Sequence, residues 1–214
     1  MTFGAPWRWL GVVLAVSAVG AAELTIGELR LAGGVRPSEF TFTQDDGQQT
    51  QRGSDHYDQA WGIELGLRQG LNGPGRRLGF VLAADLVGQR RTYGDLVQLD
   101  GAGLRGGVGI GYALTDAWTA LAETGVAGGP SWMAVADSDR AAGYRATGRW
   151  MAWDLRLSTT LRLDRRWAVG LTGGYARERW RISGAGITTT QDLSGTWIAA
   201  EIIWRWSDLP GGLE

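Results

Sequence analysis

The sequence predicts an all-β fold: an eight-stranded antiparallel up-and-down transmembrane β-barrel preceded by a signal peptide. Three observations predict it. From Leu24 onward, the 214-residue chain falls into segments whose apolar residues recur at every second position, the period of a strand with two unlike faces. The connections between these segments alternate in length, as in a barrel with tight turns at one rim and long loops at the other. The N-terminus places Arg8 before an apolar run from Leu10 to Val19 and small residues at Gly20-Ala21-Ala22, the pattern of a secretory signal peptide. That run is shorter than the ~20 residues a membrane helix needs. Residues 1–22 are therefore expected to be a leader cleaved near Ala21 or Ala22, and 23–214 the barrel domain.

The first predicted strand, Ile26–Val35, sets Leu29, Leu31 and Val35 against Glu28 and Arg30. The second, Tyr57–Arg68, alternates Trp61, Ile63, Leu65 and Leu67 with Gly62, Glu64, Gly66 and Arg68. In the third, Leu78–Val87, Leu78, Phe80, Leu82 and Leu86 oppose Gly79, Ala83 and Asp85. The fourth, Ala102–Tyr112, opposes Leu104, Val108, Ile110 and Tyr112 to Arg105 and three glycines, and the fifth, Trp118–Val126, opposes Trp118, Ala122 and Val126 to Leu121, Glu123 and Gly125. The sixth, Arg149–Leu161, carries Met151, Trp153, Leu155 and Leu157 against Asp154 and Arg156. The seventh, Trp167–Glu178, carries Trp167, Val169, Leu171 and Tyr175 against Thr172, Gly174 and Glu178. The last, Thr196–Trp206, carries Ile198, Ile202, Trp204 and Trp206 against Trp197, Glu201 and Arg205. Long connections are predicted at Arg36–His56, Gly88–Gly101, Ala127–Ala146 and Arg179–Ser194, and short ones at Gly70–Arg77, Ala113–Ala117 and Arg162–Arg166.

The character of the non-apolar face decides what surrounds the barrel. A water-facing strand surface is rich in Lys and Glu. Here that face is mostly Gly and Ala, the chain holds 35 Gly, and all 21 basic residues are Arg. Small residues suit the interior of an eight-stranded barrel, which side chains fill. The charges on that face are expected to pair inside the lumen: Glu28, Glu64, Asp85, Glu123, Asp154 and Glu201 with Arg30, Arg68, Arg105, Arg156 and Arg205, since buried charges persist when paired and Arg pairs carboxylates bidentately. The aromatics sort to the ends of the apolar face. Phe80, Tyr112, Trp118, Trp167, Trp204 and Trp206 fall near one rim and Trp61, Trp153 and Tyr175 near the other, the two belts expected at the interfaces of a membrane. Alternation, strand length and belts together place the barrel in the outer membrane of a Gram-negative-type envelope, with lipid and lipopolysaccharide as its surroundings.

Composition excludes several classes. A net charge of −1 and pI near 5.9 give no basic face for nucleic acid. The absence of cysteine removes disulfides and thiolate metal sites, and no cofactor is expected.

In these respects the chain resembles the small eight-stranded outer-membrane barrels of the OmpA transmembrane-domain and OmpX type, over about Leu24 to Trp206. The resemblance is architectural. Its most local expression is the pair of turns Leu114-Thr115-Asp116-Ala117-Trp118 and Leu163-Asp164-Arg165-Arg166-Trp167. It implies insertion by the barrel-insertion machinery and a monomer.

Candidate chemistry is sparse. His56, the single histidine, lies in Gly53-Ser54-Asp55-His56. Outer-membrane lipid A deacylases and palmitoyltransferases use His with Ser, and a catalytic His needs a nucleophile in reach and an orienting partner; Ser131 and Ser183 are the candidates on other loops. Gly101-Ala102-Gly103-Leu104-Arg105-Gly106 is a loose glycine fingerprint, but no helix pattern follows it, as a dinucleotide site requires. Asp45-Asp46 and Asp137 with Asp139 lack the further oxygen ligands calcium takes. Arg177-Glu178-Arg179-Arg181 stands where the seventh strand leaves the membrane and suits phosphate. The expected function is a structural or surface-interaction role without catalysis. The alternatives are a lipid A-modifying enzyme using His56 and a narrow pore.

Overall fold

The computed structural model describes residues 24–71, 78–137 and 143–206. The leader and most of the Gly70–Arg77 connection lie outside the described residues. Ten strands are present: β1 (Leu24–Val35), β2 (Glu39–Asp45), β3 (Thr50–His56), β4 (Gln59–Leu71), β5 (Leu78–Tyr93), β6 (Val97–Ala113), β7 (Trp118–Val135), β8 (Tyr144–Arg162), β9 (Trp167–Gly184) and β10 (Ile187–Trp206). Eight of them close a ring. β1 pairs β4, each later strand pairs the next, and β10 returns to β1 with Leu31 opposite Ile202, every pair antiparallel. This is an up-and-down barrel without a free edge in its lower half.

The predicted strands fall inside ring strands, except that the second was expected from Tyr57 and β4 begins at Gln59. The predicted long connections are a different matter: most of their length is sheet. β2 and β3 lie inside Arg36–His56, β5 and β6 run on to Tyr93 and from Val97, and β9 and β10 continue to a two-residue turn at Ala185-Gly186. Both turn residues have positive φ, 51° and 79°, the two-residue hairpin geometry whose twist matches that of the flanking strands.

These extensions escape the alternation rule because their phase is reversed. In the lower barrel the apolar residues point outward, as Val169, Leu171 and Tyr175 do on β9, while Thr172 and Glu178 point in. Farther up the same strand Trp180 and Ile182 point inward and Arg177, Arg179 and Arg181 outward. Leu99, Met133, Ala146, Trp150 and Leu193 join Trp180 and Ile182 in a buried cluster above the lower lumen. Each long strand thus has a lower part that belongs to an inside-out barrel and an upper part that belongs to an ordinary sheet with an apolar core. We call the upper part the crown.

The β2–β3 hairpin belongs to the crown. β2 continues the line of β1 along β10 in the same register, with Val35 opposite Ile198 and Phe40 opposite Leu193. The break between them falls at Arg36-Pro37-Ser38, where Pro37 has no N–H to give a ladder. On the other arm the register slips by one residue between the β1–β4 and β2–β3 pairings, a bulge at Tyr57-Asp58. Its outer edge, β3, pairs with β2 alone.

Two lower turns share one mechanism. Leu114 N–H donates to the Trp118 carbonyl and Leu163 N–H to that of Trp167, each at 2.9 Å. Thr115 Oγ1 accepts from Ala117 and Trp118, and Asp164 Oδ1 from Arg166 and Trp167, so a short side-chain acceptor closes each turn.

Candidate functional site

Between the turns and the crown the outside wall is a continuous apolar band. Leu31, Ile63, Leu65, Leu67, Leu86, Leu104, Val108, Ile110, Leu155, Leu157, Leu171 and Ile202 are all exposed, several by more than half. Nothing among the described residues covers them. Phe80, Tyr112, Trp118 and Trp167 stand exposed at the lower margin, with Trp204 beside them partly exposed, and Trp61, Trp153 and Tyr175 at the upper margin. Trp153 and Tyr175 meet edge to face at 6.4 Å. Trp206 ends β10, and its side chain lies outside the described residues.

Inside the same wall is a closed ionic lattice. Arg30 reaches Glu64 at 2.8 Å, Asp85 at 2.7 Å and Glu201 at 2.9 Å. Arg105 grips Asp154 with two nitrogens, 2.9 and 2.7 Å, and also contacts Asp85 and Glu123. Arg156 bridges Glu64 and Asp154, and Arg68 lies between Glu201 and Glu123. Neither Glu123 oxygen accepts an aligned hydrogen bond among the described residues, so that carboxylate is held by charge. Glu28 and Arg205 form a separate pair at the lower rim, 2.8 Å apart.

Two further cations occupy the lumen that the sequence segments did not suggest. Arg36, at the β1–β2 break, contacts Glu64, and Arg91, on the upper β5, contacts Glu178 at 2.7 Å. Both fell within predicted loops. The reversal of phase is the signal that finds Arg91. For Arg36 the signal is Pro37 directly after it, which marks a strand interruption. The guanidiniums of Arg36 and Arg156 each lie 4.8 Å from the Trp197 ring centroid, so a buried indole separates two like charges that share Glu64. Five arginines (Arg30, Arg36, Arg68, Arg105, Arg156) thus meet five carboxylates (Glu64, Asp85, Glu123, Asp154, Glu201), and the lattice is neutral.

The glycines on this face make room for it. A Cβ on Gly66 would lie 1.7 Å from Asp85 Oδ1, and one on Gly125 2.5 Å from Arg105 Nη2. Above the lattice Trp150 and Trp180 stack at 5.6 Å, with Arg91 over Trp180 and Glu178 accepting from its Nε1. Tyr57 stacks on Phe40 and donates to Gln191 at 2.5 Å; burial pushes its phenol up to about 12. Between lattice and crown core lies a void of only ≈ 10 Å³ lined by Arg36, Glu64, Gln89, Arg105, Trp150 and Glu178, among others, room for about one water. Among the described residues, side chains fill the lumen from the ionic lattice up into the crown core.

His56 stands at the foot of β3, exposed, with Nδ1 3.5 Å from Asp55 Oδ1. It shares a shallow outer recess of ≈ 680 Å³ with Ser54 and Glu39, its partner across the β2–β3 ladder. Ser131 is fully buried on β7, and Ser183 bonds Thr188 beside the β9–β10 turn; the fold brings neither to His56. Asp45 and Asp46 accept backbone N–H groups of their own turn, which hold the Asp46 carboxyl below the usual carboxylate range. Asp137 accepts from Gly143; Asp139 lies outside the described residues.

No protein-family model matches the sequence, and no curated protein does. Among solved structures the chain is similar to small outer-membrane β-barrel proteins. Outer membrane protein OprG from Pseudomonas aeruginosa aligns at 12% identity and a TM-score of 0.49, over 86% of this chain and 97% of that one. Outer membrane protease OmpT from Escherichia coli aligns at 9% identity and 0.46, over 86% and 96%. Ail, the attachment invasion locus protein of Yersinia pestis, aligns at 10% and 0.38, over 84% and 99%. The barrel itself rests on the closed register of strand pairs described above.

Proposed function

We propose that the chain is an integral outer-membrane barrel whose sealed lower half anchors a rigid extracellular crown, and that the crown's outer surface serves surface interaction rather than transport or catalysis. The observation that carries this reading is the reversal of strand phase: one wall is apolar outside and ionic inside, and the same strands continue with an apolar inside and a polar outside. Only a lipid layer around the lower wall and water around the upper one satisfies both halves. The packed lumen argues against conduction. The test is recovery and reconstitution. The mature chain is expected in the outer-membrane fraction, with folded and unfolded forms migrating differently on unboiled gels, and without conductance steps in planar bilayers. Recovery as a detergent-free soluble monomer would overturn the placement, and stepwise conductance would overturn the sealed lumen.

The recess shared by Ser54, His56 and Glu39 supports a second reading, a lipid A-modifying hydrolase. Against it, no hydrogen bond joins His56 to a serine among the described residues. His56→Ala is expected to leave lipid A unchanged by mass spectrometry; loss of an acyl-chain modification in that variant would establish the enzyme reading in place of the first.

A further inference from the structure

On the outer wall of the crown, β8 and β9 set Arg149 directly opposite Arg181. Both are exposed, and neither has an ion-pair partner among the described residues. Like charges opposed across a ladder repel, with Cβ atoms about 4.5–5.5 Å apart. The lower wall carries no such opposed pair on its outward face among the described residues: between the turns its charges, such as Arg105 and Asp154, face inward and are paired. Four residues below Arg181 on the same face is Arg177, also exposed and without a carboxylate of its own. Between them Arg179 is bonded to Asp192 at 2.7 and 3.0 Å, and Asp192 is thereby engaged. Glu178 points inward to Arg91 and Trp180 and offers the outer wall no compensation.

The wall beneath is equally uneven. A recess of ≈ 350 Å³ lies where the apolar band ends, with Val126, Met151 and Trp153 of β7 and β8 on one side and Arg177 and Arg179 of β9, with Asp192 of β10, on the other; Trp153 stands opposite Arg177 and Met151 opposite Arg179 across the ladder. Trp153 and Tyr175 of the upper belt stand next to it. Apolar surface beside guanidiniums, of which Arg149, Arg177 and Arg181 have no carboxylate partner among the described residues, matches one ligand chemistry: an acylated molecule with phosphate at its head.

We propose that this outer wall of β8 and β9 is a binding site for the phosphorylated headgroup of an outer-leaflet glycolipid of the lipopolysaccharide type. Arg149 and Arg181 share one anionic group, Arg177 takes a second nearer the membrane, and the acyl chains lie against Met151, Trp153 and Tyr175. The inference rests on the membrane placement proposed above and adds the lipid that the barrel selects and the face that selects it.

The experiment uses the full mature chain folded into vesicles of three compositions: phosphatidylcholine alone, phosphatidylcholine with bisphosphorylated lipid A, and phosphatidylcholine with the same glycolipid lacking phosphate. The readout is the rate of thermal unfolding, followed by the gel-mobility shift. Bisphosphorylated lipid A is expected to slow unfolding roughly tenfold, the size of one good charge-assisted contact; the phosphate-free glycolipid is expected to do so little. Arg149→Gln/Arg181→Gln should remove the difference, Arg149→Lys/Arg181→Lys should keep part of it, and Arg90→Gln, on another wall and paired with Asp100, should keep all of it. Equal slowing by inorganic phosphate added to plain vesicles would show a free-anion site and overturn the lipid assignment. An unaltered response in the Arg149→Gln/Arg181→Gln protein would overturn the site. A wild-type chain that never inserts would instead overturn the membrane placement, and this inference with it.

Discussion

Glu64 shows how much one lumen residue supports. Its carboxylate contacts Arg30, Arg36 and Arg156; a substitution that removes its charge strands Arg36, which meets no other carboxylate among the described residues, and takes one partner each from Arg30 and Arg156. Breaking a buried pair costs about 3–5 kcal/mol. Asp192 makes an equally well-formed contact with Arg179, but that pair is exposed on the crown wall, where ion pairs contribute about 0–1 kcal/mol. Glu64→Gln is therefore expected to lower folding stability by several kcal/mol in detergent-denaturant titration, and Asp192→Asn by less than about 1 kcal/mol. Partial rescue of Glu64→Gln by Arg36→Gln would follow, since the second change removes the stranded charge; equal losses in the Glu64 and Asp192 variants would contradict the lattice as described.

At the scale of the element, the turns between ring strands are the most sharply specified pieces. In Leu163-Asp164-Arg165-Arg166-Trp167 the Asp164 carboxylate accepts the N–H groups of Arg166 and Trp167, which hold its carboxyl below the usual aspartate range. Because the folded-state pKa is the lowered one, the contribution is complete above the ordinary aspartate range and is lost as pH falls through the depressed value. The stability of wild type relative to Asp164→Ala, and relative to Asp164→Asn, should thus fall on acidification, since neither variant titrates at this position, while Asp164→Asn, which keeps an acceptor, should lose less than Asp164→Ala at neutral pH. Unfolding series from pH 7 downward check both. These turns were legible in the sequence because turn chemistry is local: a Leu, a short acceptor and a Trp at fixed spacing. The ring strands were legible because Leu, Val and Ile at every second position can only mean one lipid-facing or core-facing side. β2, β3 and the upper halves of the other strands were not legible, because Trp180 and Ile182 continue the alternation of β9 one residue out of phase with Val169 and Leu171, and a single-phase reading takes such a stretch for a loop. Charge partners were less legible still. The lattice's arginines could be placed on a face, but which carboxylate each meets depends on strands far apart in sequence, as Arg30 and Glu201 are.

The whole molecule gathers these features into two stacked barrels of opposite polarity built from one set of strands. Site-directed labelling tests that arrangement directly. A cysteine at position 82 or 202 should react with lipid-phase probes and not with aqueous maleimide, and one at 64 or 105 with neither in the folded protein. A cysteine at 179 or 183, on the same outward faces but in the crown, should react with the aqueous reagent alone. Aqueous labelling at 202, or lipid labelling at 179, would contradict the inversion. Among the described residues the closed ring also confines the sheet's open edge to β3, which is short and polar, with Arg52 and Asp55 along it, the composition by which edge strands avoid pairing with neighbours.

The reversal of phase has a consequence for where such a protein can reside. The level at which the strands change polarity acts as a waterline. Below it any exposed wall must be wetted by hydrocarbon, and above it the first outward residues on β9 are Arg177, Arg179 and Arg181. A thicker bilayer would have to submerge those guanidiniums or thin itself around the barrel, and either adjustment carries a cost for each ångström of mismatch. A thinner one would leave leucines in water. The strands therefore carry their own gauge of membrane thickness, set to the short apolar span between the tryptophans of the lower turns and Tyr175, and that gauge matches the thinner-than-average outer membrane and disfavours the thicker bilayers the chain would meet elsewhere.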